Sequence, residues 1–377
     1  MIDRRLTILQ VLPQLERGGA ERVAIEIADA VQKSGHVALI AAAPGPLDSL
    51  ARRVGAALIG LPLATKNPFK IWRNINRLEK IIKEHQVDLV HVHSRAPAWS
   101  AYYAARRCGI PFVTSYHGAY SETSRIKRRY NEVMARGDLV IAPSQFIAEL
   151  VRARYGVPEA RLRVVHGGVD TQMFDQTAVL GDRVSRLAQA WRLDVSRPVI
   201  MLPGRLTALK GHKLLVEALG LMRHTDVVAV CIGGAGRPSY TESLLALAHQ
   251  RGVEDRIRLV GPCDDMPAAM MLADVVLNAS IQPESFGLTV IEGQSMGRVV
   301  VAADHGGPQE TVRHGETGFL FAPGNPQALA ASIDGVLDMG VEARLALGQV
   351  ARARVGREFS TEAMQLRMLG IYAELLA

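Results

Sequence analysis

Two carboxylates, Glu284 and Glu292, enclose Ser285-Phe286-Gly287-Leu288-Thr289-Val290-Ile291. The apolar run 275–277 reads as a strand, so Glu284 falls in the loop after it and a helix should begin near Gly287. At about 3.6 residues per turn, Glu292 then lies more than one turn inside that helix. The N–H groups of the first turn have no partner within the helix, and the positive end of its dipole stands behind them. One carboxylate could accept from sugar hydroxyls and the other from a ribose, since carboxylate oxygens accept strongly and do not donate. The backbone between them would face a phosphate. The alternative is a helix-start charge at Glu284 and a solvated residue at Glu292, and the pair alone leaves both readings open.

Other loops offer complementary chemistry. In Gly204-Arg205-Leu206-Thr207-Ala208-Leu209-Lys210-Gly211, Arg205 directly follows a predicted strand and Lys210 opens the next helix. Two fixed cations there suit a diphosphate and would offset the negative charge that a magnesium ion would otherwise neutralise; the alternative is two surface cations. His117, in Ser115-Tyr116-His117-Gly118, sits at a strand end where it could bond a substrate hydroxyl or share a proton, or be a satisfied buried histidine. Upstream, His91 and His93 alternate onto one strand face, with too few further ligands spaced for a metal. Gly18-Gly19, after Glu16 and Arg17, lets backbone approach a ligand closely, although it fits neither G-x-G-x-x-G nor a Walker lysine loop. The turns Gly233-Gly234-Ala235-Gly236 and His305-Gly306-Gly307 also follow strands.

The elements that would hold these loops alternate. Strands are predicted at 6–12, 36–43, 57–60, 88–92, 111–115, 139–142 and 162–165, with helices at 20–33, 69–85 and 96–107 between them. The rhythm fails across a polar stretch and restarts with strands at 198–202, 227–232, 258–260, 275–277 and 299–301 and a helix at 211–222. Strand–helix alternation implies parallel sheets with right-handed crossovers. The expectation is an α/β protein with two Rossmann-like domains facing across a cleft: 1–170, a linker 171–196, 197–357, and a last helix, 358–377, that can cross back onto the first domain. Ligands of such sheets bind beyond the strands' carboxyl ends, where the loops above lie.

Composition narrows the classes. Of 377 residues 48% are hydrophobic and only 5% aromatic, which suits an aliphatic α/β protein better than an aromatic-rich β-barrel or a disordered chain. Residues 1–175 carry 25 Lys+Arg against 16 Asp+Glu, whereas the remainder carries 19 against 21, so the basic surface belongs to the first half. That half suggests an acidic partner, whether nucleic acid, an anionic membrane or a phosphorylated substrate, with a well-solvated basic surface as the equal alternative. Three scattered cysteines argue against a disulfide framework or structural zinc. The opening residues, with Asp3, are too short an apolar run for a signal peptide, no stretch spans a membrane, and the expected location is cytoplasmic, with room for peripheral attachment to the membrane's inner face.

Taken in order, Gly18-Gly19-Ala20-Glu21, Ser115-Tyr116-His117-Gly118, Gly204-Arg205 with Lys210-Gly211, Glu284-Ser285-Phe286-Gly287 through Glu292, and His305-Gly306-Gly307 with Glu310 resemble glycosyltransferase family 4 over nearly the whole chain. These are retaining transferases with the GT-B fold. The resemblance implies a catalytic set of His117, Arg205, Lys210 and Glu284. Arg205 and Lys210 would hold the donor diphosphate, Glu284 the donor sugar and Glu292 the ribose. Phe286, Gly287 and Leu288, with Thr289 beside them, would complete the donor site, and Gly18 and Gly19 would close over the phosphates. His117 would touch the donor sugar near the reacting carbon. No metal or other cofactor is expected.

More narrowly, His93-Ser94-Arg95-Ala96-Pro97-Ala98-Trp99 and Tyr116-His117-Gly118-Ala119-Tyr120 resemble lipopolysaccharide-core mannosyltransferases of this family. That implies GDP-mannose as donor, with a UDP-sugar second, and a lipid-linked or saccharide acceptor in envelope glycan synthesis. Arg95, Tyr116, Tyr120, Arg125 and Arg128 are the candidate acceptor contacts, and the basic run Arg125-Ile126-Lys127-Arg128-Arg129 could meet an anionic membrane. One departure is Gly293, where many relatives carry alanine; it lowers helix propensity by up to about 1 kcal/mol. Rival readings are a nucleotide-sugar epimerase, hydrolase or phosphorylase of the same architecture and a non-catalytic sugar-nucleotide sensor. A nucleic-acid binder is disfavoured by the lack of a stacking platform.

Overall fold

The computed structural model describes residues 4–16, 18–120 and 122–377. Asp3 and Arg17, both named above, lie outside the described residues. The chain forms two compact units. One comprises Met1–Gly168 together with Thr361–Ala377, the other Val169–Ser360.

In the first unit the strands are β1 (Thr7–Gln14), β2 (Val37–Ala43), β3 (Ala57–Gly60), β4 (Leu89–Val92), β5 (Phe112–Ser115), β6 (Leu139–Ala142) and β7 (Leu162–Val164). They make a parallel sheet in the order β3-β2-β1-β4-β5-β6-β7. In the second unit β8 (Val199–Pro203), β9 (Val228–Ile232), β10 (Ile257–Gly261), β11 (Val275–Asn278), β12 (Val299–Ala303) and β13 (Phe319–Phe321) are ordered β10-β9-β8-β11-β12-β13. Every residue of β8 and β12 is buried, as strands covered by helices on both faces must be.

Each order reverses once. The chain builds outward from β1 to β3, then returns to place β4 on the other side of β1; likewise from β8 to β10, then back to β11. At such a switch point the loops leaving the two central strands diverge to opposite faces and open a crevice. In the first unit these are the loop carrying Gly18 and the one beginning at His93. In the second they are the loop carrying Arg205 and Lys210 and the one carrying Glu284.

Helix faces follow from spacing. The helix Pro68–Glu84 buries Ile75, Leu78, Ile81 and Ile82 under one face of the first sheet and is capped by Asn67, whose Oδ1 accepts from the Phe69 and Lys70 amides. On the other face Ile27, Ala28 and Val31 of the helix Gly19–Lys33 pack with Met364, Met368, Ile371 and Tyr372 of the helix Thr361–Leu376. The last helix therefore completes the core of the first unit, as the sequence allowed. Gln365 Nε2 ties it further, donating to the Glu26 carbonyl at 2.7 Å.

Two elements differ from expectation. The segment read as a linker holds a helix, Gly181–Ala190, that belongs to the second unit. Leu187 and Trp191 pack on the second core, and Arg183 grips Asp265 through two bonds of 2.8 and 2.6 Å. The polar face of that helix had masked its apolar stripe. β13 was not foreseen, because three residues at a sheet edge leave no periodic signature.

Candidate active site

The second unit's switch point gathers its charged residues closely. Lys210 Nζ forms an ion pair with Glu284 Oε1. Ser280 Oγ donates to the same oxygen, and Asn278 Nδ2 donates to Glu284 Oε2 at 3.0 Å. Burial alone would raise the Glu284 pKa, but the Lys210 charge and these hydrogen bonds outweigh it and hold the carboxyl below its ordinary value. Asn278 ends β11 and Ser280 follows it, so strand register rather than sequence spacing supplies both partners.

Backbone shape makes this meeting possible. Gly211 has φ +77°, and a Cβ there would stand 1.9 Å from the Ala279 carbonyl oxygen. Only glycine lets the chain turn from Lys210 into the helix His212–Leu219 against the loop that follows β11. The loop after Glu284 turns through Gly287, φ +87°, into the helix Leu288–Ser295, whose N-terminus carries no side-chain cap. The Gly307 amide donates to the Glu284 carbonyl at 2.9 Å, and His305 Nε2 bonds the Ser280 carbonyl at 2.8 Å, so the turn after β12 braces the loop.

The remaining donor candidates are placed variously. Arg205 is exposed at the end of β8. The Phe286 side chain lies in the core against Phe359, so only its backbone faces the loop. Leu288, Thr289 and Glu292 are half-buried on the first turns of the helix, with Thr289 Oγ1 3.5 Å from Asn278 Nδ2.

In the first unit the histidines form a linked group. His117 Nε2 is 3.1 Å from His93 Nδ1, and His93 Nε2 is 2.7 Å from Gln10 Oε1. Gln10 Nε2 donates to the Ala24 carbonyl at 2.7 Å. His91 lies tilted against His93 with ring centroids 4.1 Å apart and is bound by Ser115 Oγ at 2.8 Å and Tyr372 Oη at 2.6 Å. Burial pushes the His117 pKa down to about 4 and that of His91 to about 3, and holds His93 well below its ordinary value, so the three rings are neutral near pH 7. Among the described residues, no three His, Cys, Asp or Glu side chains are grouped to hold a metal ion.

The acceptor candidates divide. Arg95 stacks over the Tyr120 ring at 4.2 Å and donates to Asn131 Oδ1 at 2.8 Å. Tyr116 is 2% exposed and packs into the core against Tyr120, so its hydroxyl is withdrawn from any bound acceptor. Arg125 is exposed, whereas Arg128 donates to the Arg154 carbonyl at 2.6 Å.

This frame has relatives. The family model "Glycosyltransferase Family 4" matches residues 17–173, and "Glycosyl transferases group 1" matches residues 185–354. A D-inositol 3-phosphate glycosyltransferase from Xylanimonas cellulosilytica is 34% identical over 79% of this chain and 74% of its own. The chain belongs to glycosyltransferase family 4. A further family 4 relative, the GDP-mannose-dependent alpha-(1-6)-phosphatidylinositol monomannoside mannosyltransferase of Mycobacterium tuberculosis, is 30% identical over 76% of this chain and 74% of its own. A glycosyltransferase structure from Rickettsia africae covers 99% of both chains with a TM-score of 0.91 at 33% identity. The Anabaena protein HepE in complex with UDP-glucose covers 98% of this chain and 100% of its own, with a TM-score of 0.83 at 25% identity. This glycosyltransferase thus has the GT-B fold of two parallel-sheet α/β domains. Among its described residues no helix is long and apolar enough to cross a membrane.

The motifs pointed to Lys210, Glu284 and His117, but not to Gln10, Asn278, Ser280 or Tyr372. These polar residues are supplied by strand interiors, a strand-end loop and a distant helix, and only strand pairing, such as Gln10 opposite His91, reveals where they meet.

Proposed function

We propose that this glycosyltransferase moves a hexose, mannose by preference, from a nucleotide diphosphate donor to an anionic lipid-linked or saccharide acceptor, with retention of configuration and without a divalent ion. The observation that carries the reading is the Lys210–Glu284 pair at the second unit's switch point, beside the amides that open the helix Leu288–Ser295. Lys210 and Arg205 supply positive charge for a diphosphate, and Glu284, kept ionised, accepts from donor sugar hydroxyls. His117, neutral, contacts the sugar near the reacting carbon. The acceptor attacks from the face the leaving group departs, and the departing phosphate takes the acceptor's proton. A nucleotide-sugar donor is consistent with the UDP-glucose bound by HepE, and mannose with the name of the mycobacterial relative.

The acceptor reading rests on the first unit. The names of both curated relatives place an inositol phosphate or phosphatidylinositol in the substrate, which fits the basic first half of this chain. That unit also carries a groove of about 560 Å³ lined by Ile71, Trp72, Trp99, Tyr103 and Ile126 together with Lys66 and Lys127. Trp72 is 53% and Ile126 83% exposed, and exposed apolar side chains among lysines suit an anionic lipid.

Transfer assays with GDP-mannose, UDP-glucose and ADP-glucose, each with and without EDTA, test the donor reading. GDP-mannose should turn over fastest, without loss in EDTA. Activity abolished by EDTA and restored by magnesium would refute the metal-independent scheme. For the acceptor, vesicles containing anionic lipid should bind the protein and neutral ones should not. Equal binding to both, or unchanged binding by Lys66→Glu/Lys127→Glu, would remove the membrane from the account.

A further inference from the structure

The buried polar chain behind His117 has a direction. Gln10 Nε2 donates to the Ala24 carbonyl, a pure acceptor, so Gln10 presents its Oε1 to His93. An amide oxygen can only accept, and His93 must therefore carry its proton on Nε2. In a neutral ring that leaves His93 Nδ1 as an acceptor, and the proton between the two histidines must come from His117 Nε2. His117 Nδ1 is then the acceptor nitrogen of its ring. His91, bound at both nitrogens and tilted against His93 with ring centroids 4.1 Å apart, gives His93 a fixed neighbour, and through Tyr372 this support reaches the last helix of the chain.

We infer that Gln10 and His93 are positioning residues that hold His117 in its Nε2–H tautomer and fix the plane of its ring. The two Gln10 bonds are buried and the His93–His117 bond is half-buried, so an unmade hydrogen bond is costly there and the alternative tautomer would leave two like groups facing each other along the chain. The depressed pKa values of His93 and His117 agree with this order, since a second proton on either ring would oppose it. The consequence for transfer rests on the reading of His117 as the group that meets the donor sugar. The hold on the ring does not.

The experiment is ¹⁵N NMR of histidine rings in the full-length protein, with His117 assigned by comparison with His117→Gln. Wild type should show His117 protonated at Nε2 and bare at Nδ1 at neutral pH. His93→Phe keeps a planar aromatic ring but removes both bonds, and should return His117 to a tautomeric mixture. Gln10→Met should do the same from one bond further away. In both variants kcat should fall about 10- to 100-fold, with the donor KM within about twofold. A wild-type His117 protonated at Nδ1, or already a mixture, overturns the inference without any variant. So does a tautomer unmoved in the variants. A tautomer that is lost while kcat stays unchanged supports the hold on the ring and instead refutes the placing of His117 at the sugar.

Discussion

At the scale of residues, the second unit's site couples two opposite charges. Glu284 stays ionised because Lys210, Ser280 and Asn278 face it, and Lys210 in turn is held by Glu284 near the open amides. Charge-assisted hydrogen bonds are worth about 1.5–3 kcal/mol, so Lys210→Ala should weaken nucleotide diphosphate binding by roughly 10- to 100-fold in calorimetric titration. Unchanged affinity would place the diphosphate elsewhere. Glu284→Gln should leave diphosphate affinity nearly intact and cut transfer strongly. The histidines give a second expectation. His91 and His117 have pKa values of about 3 and about 4 in the fold against an ordinary 6.5, so the unfolded chain binds more protons below that value. Stability is then fully present above about pH 6.5 and falls as pH drops toward the folded values. The lowered Glu284 pKa acts in the same direction, but only below its ordinary 4.5. The urea midpoint should decline from about pH 7 to about pH 5, and less steeply in His93→Phe. The chemistry-bearing residues of this site were legible because their loops keep fixed spacing. Asn278, Ser280 and Gln10 were not, since amides and hydroxyls in or beside apolar runs acquire meaning only from strand pairing.

At the scale of elements, two reversals of strand order decide where chemistry is possible. Lys210 and Glu284 are 74 residues apart in sequence, and the pairing of β8 with β11 sets their loops side by side. The turn between β8 and its helix is the tightest piece. Gly211→Ala would impose a left-handed backbone on alanine, costing about 1–2 kcal/mol, and press its Cβ into the Ala279 carbonyl. It should lower the melting temperature and weaken diphosphate binding together, whereas Gly234→Ala, in open space, should change neither. Strands were readable wherever burial on both faces produced continuous aliphatic runs. β13 and the helix Gly181–Ala190 escaped, the first by shortness and the second because Asp182, Arg183 and Arg186 dominate its composition.

At the scale of the whole molecule, the chain leaves the first unit at Gly168 and returns to it at Thr361. Met364, Met368, Ile371 and Tyr372 recur at helical spacing and fill a face that Ile8, Ile27 and Ile40 would otherwise expose. Met368→Ala should cost about 2–5 kcal/mol, read as a lower urea midpoint, and Leu366→Ala, 71% exposed on the same helix, should cost almost nothing. This return has a consequence for biosynthesis. Because residues 169–360 leave the ribosome before the final helix does, the later unit has all its parts first, while the earlier one waits with an oily face uncovered. A nonsense mutation just before Thr361 would therefore harm the part of the protein translated first.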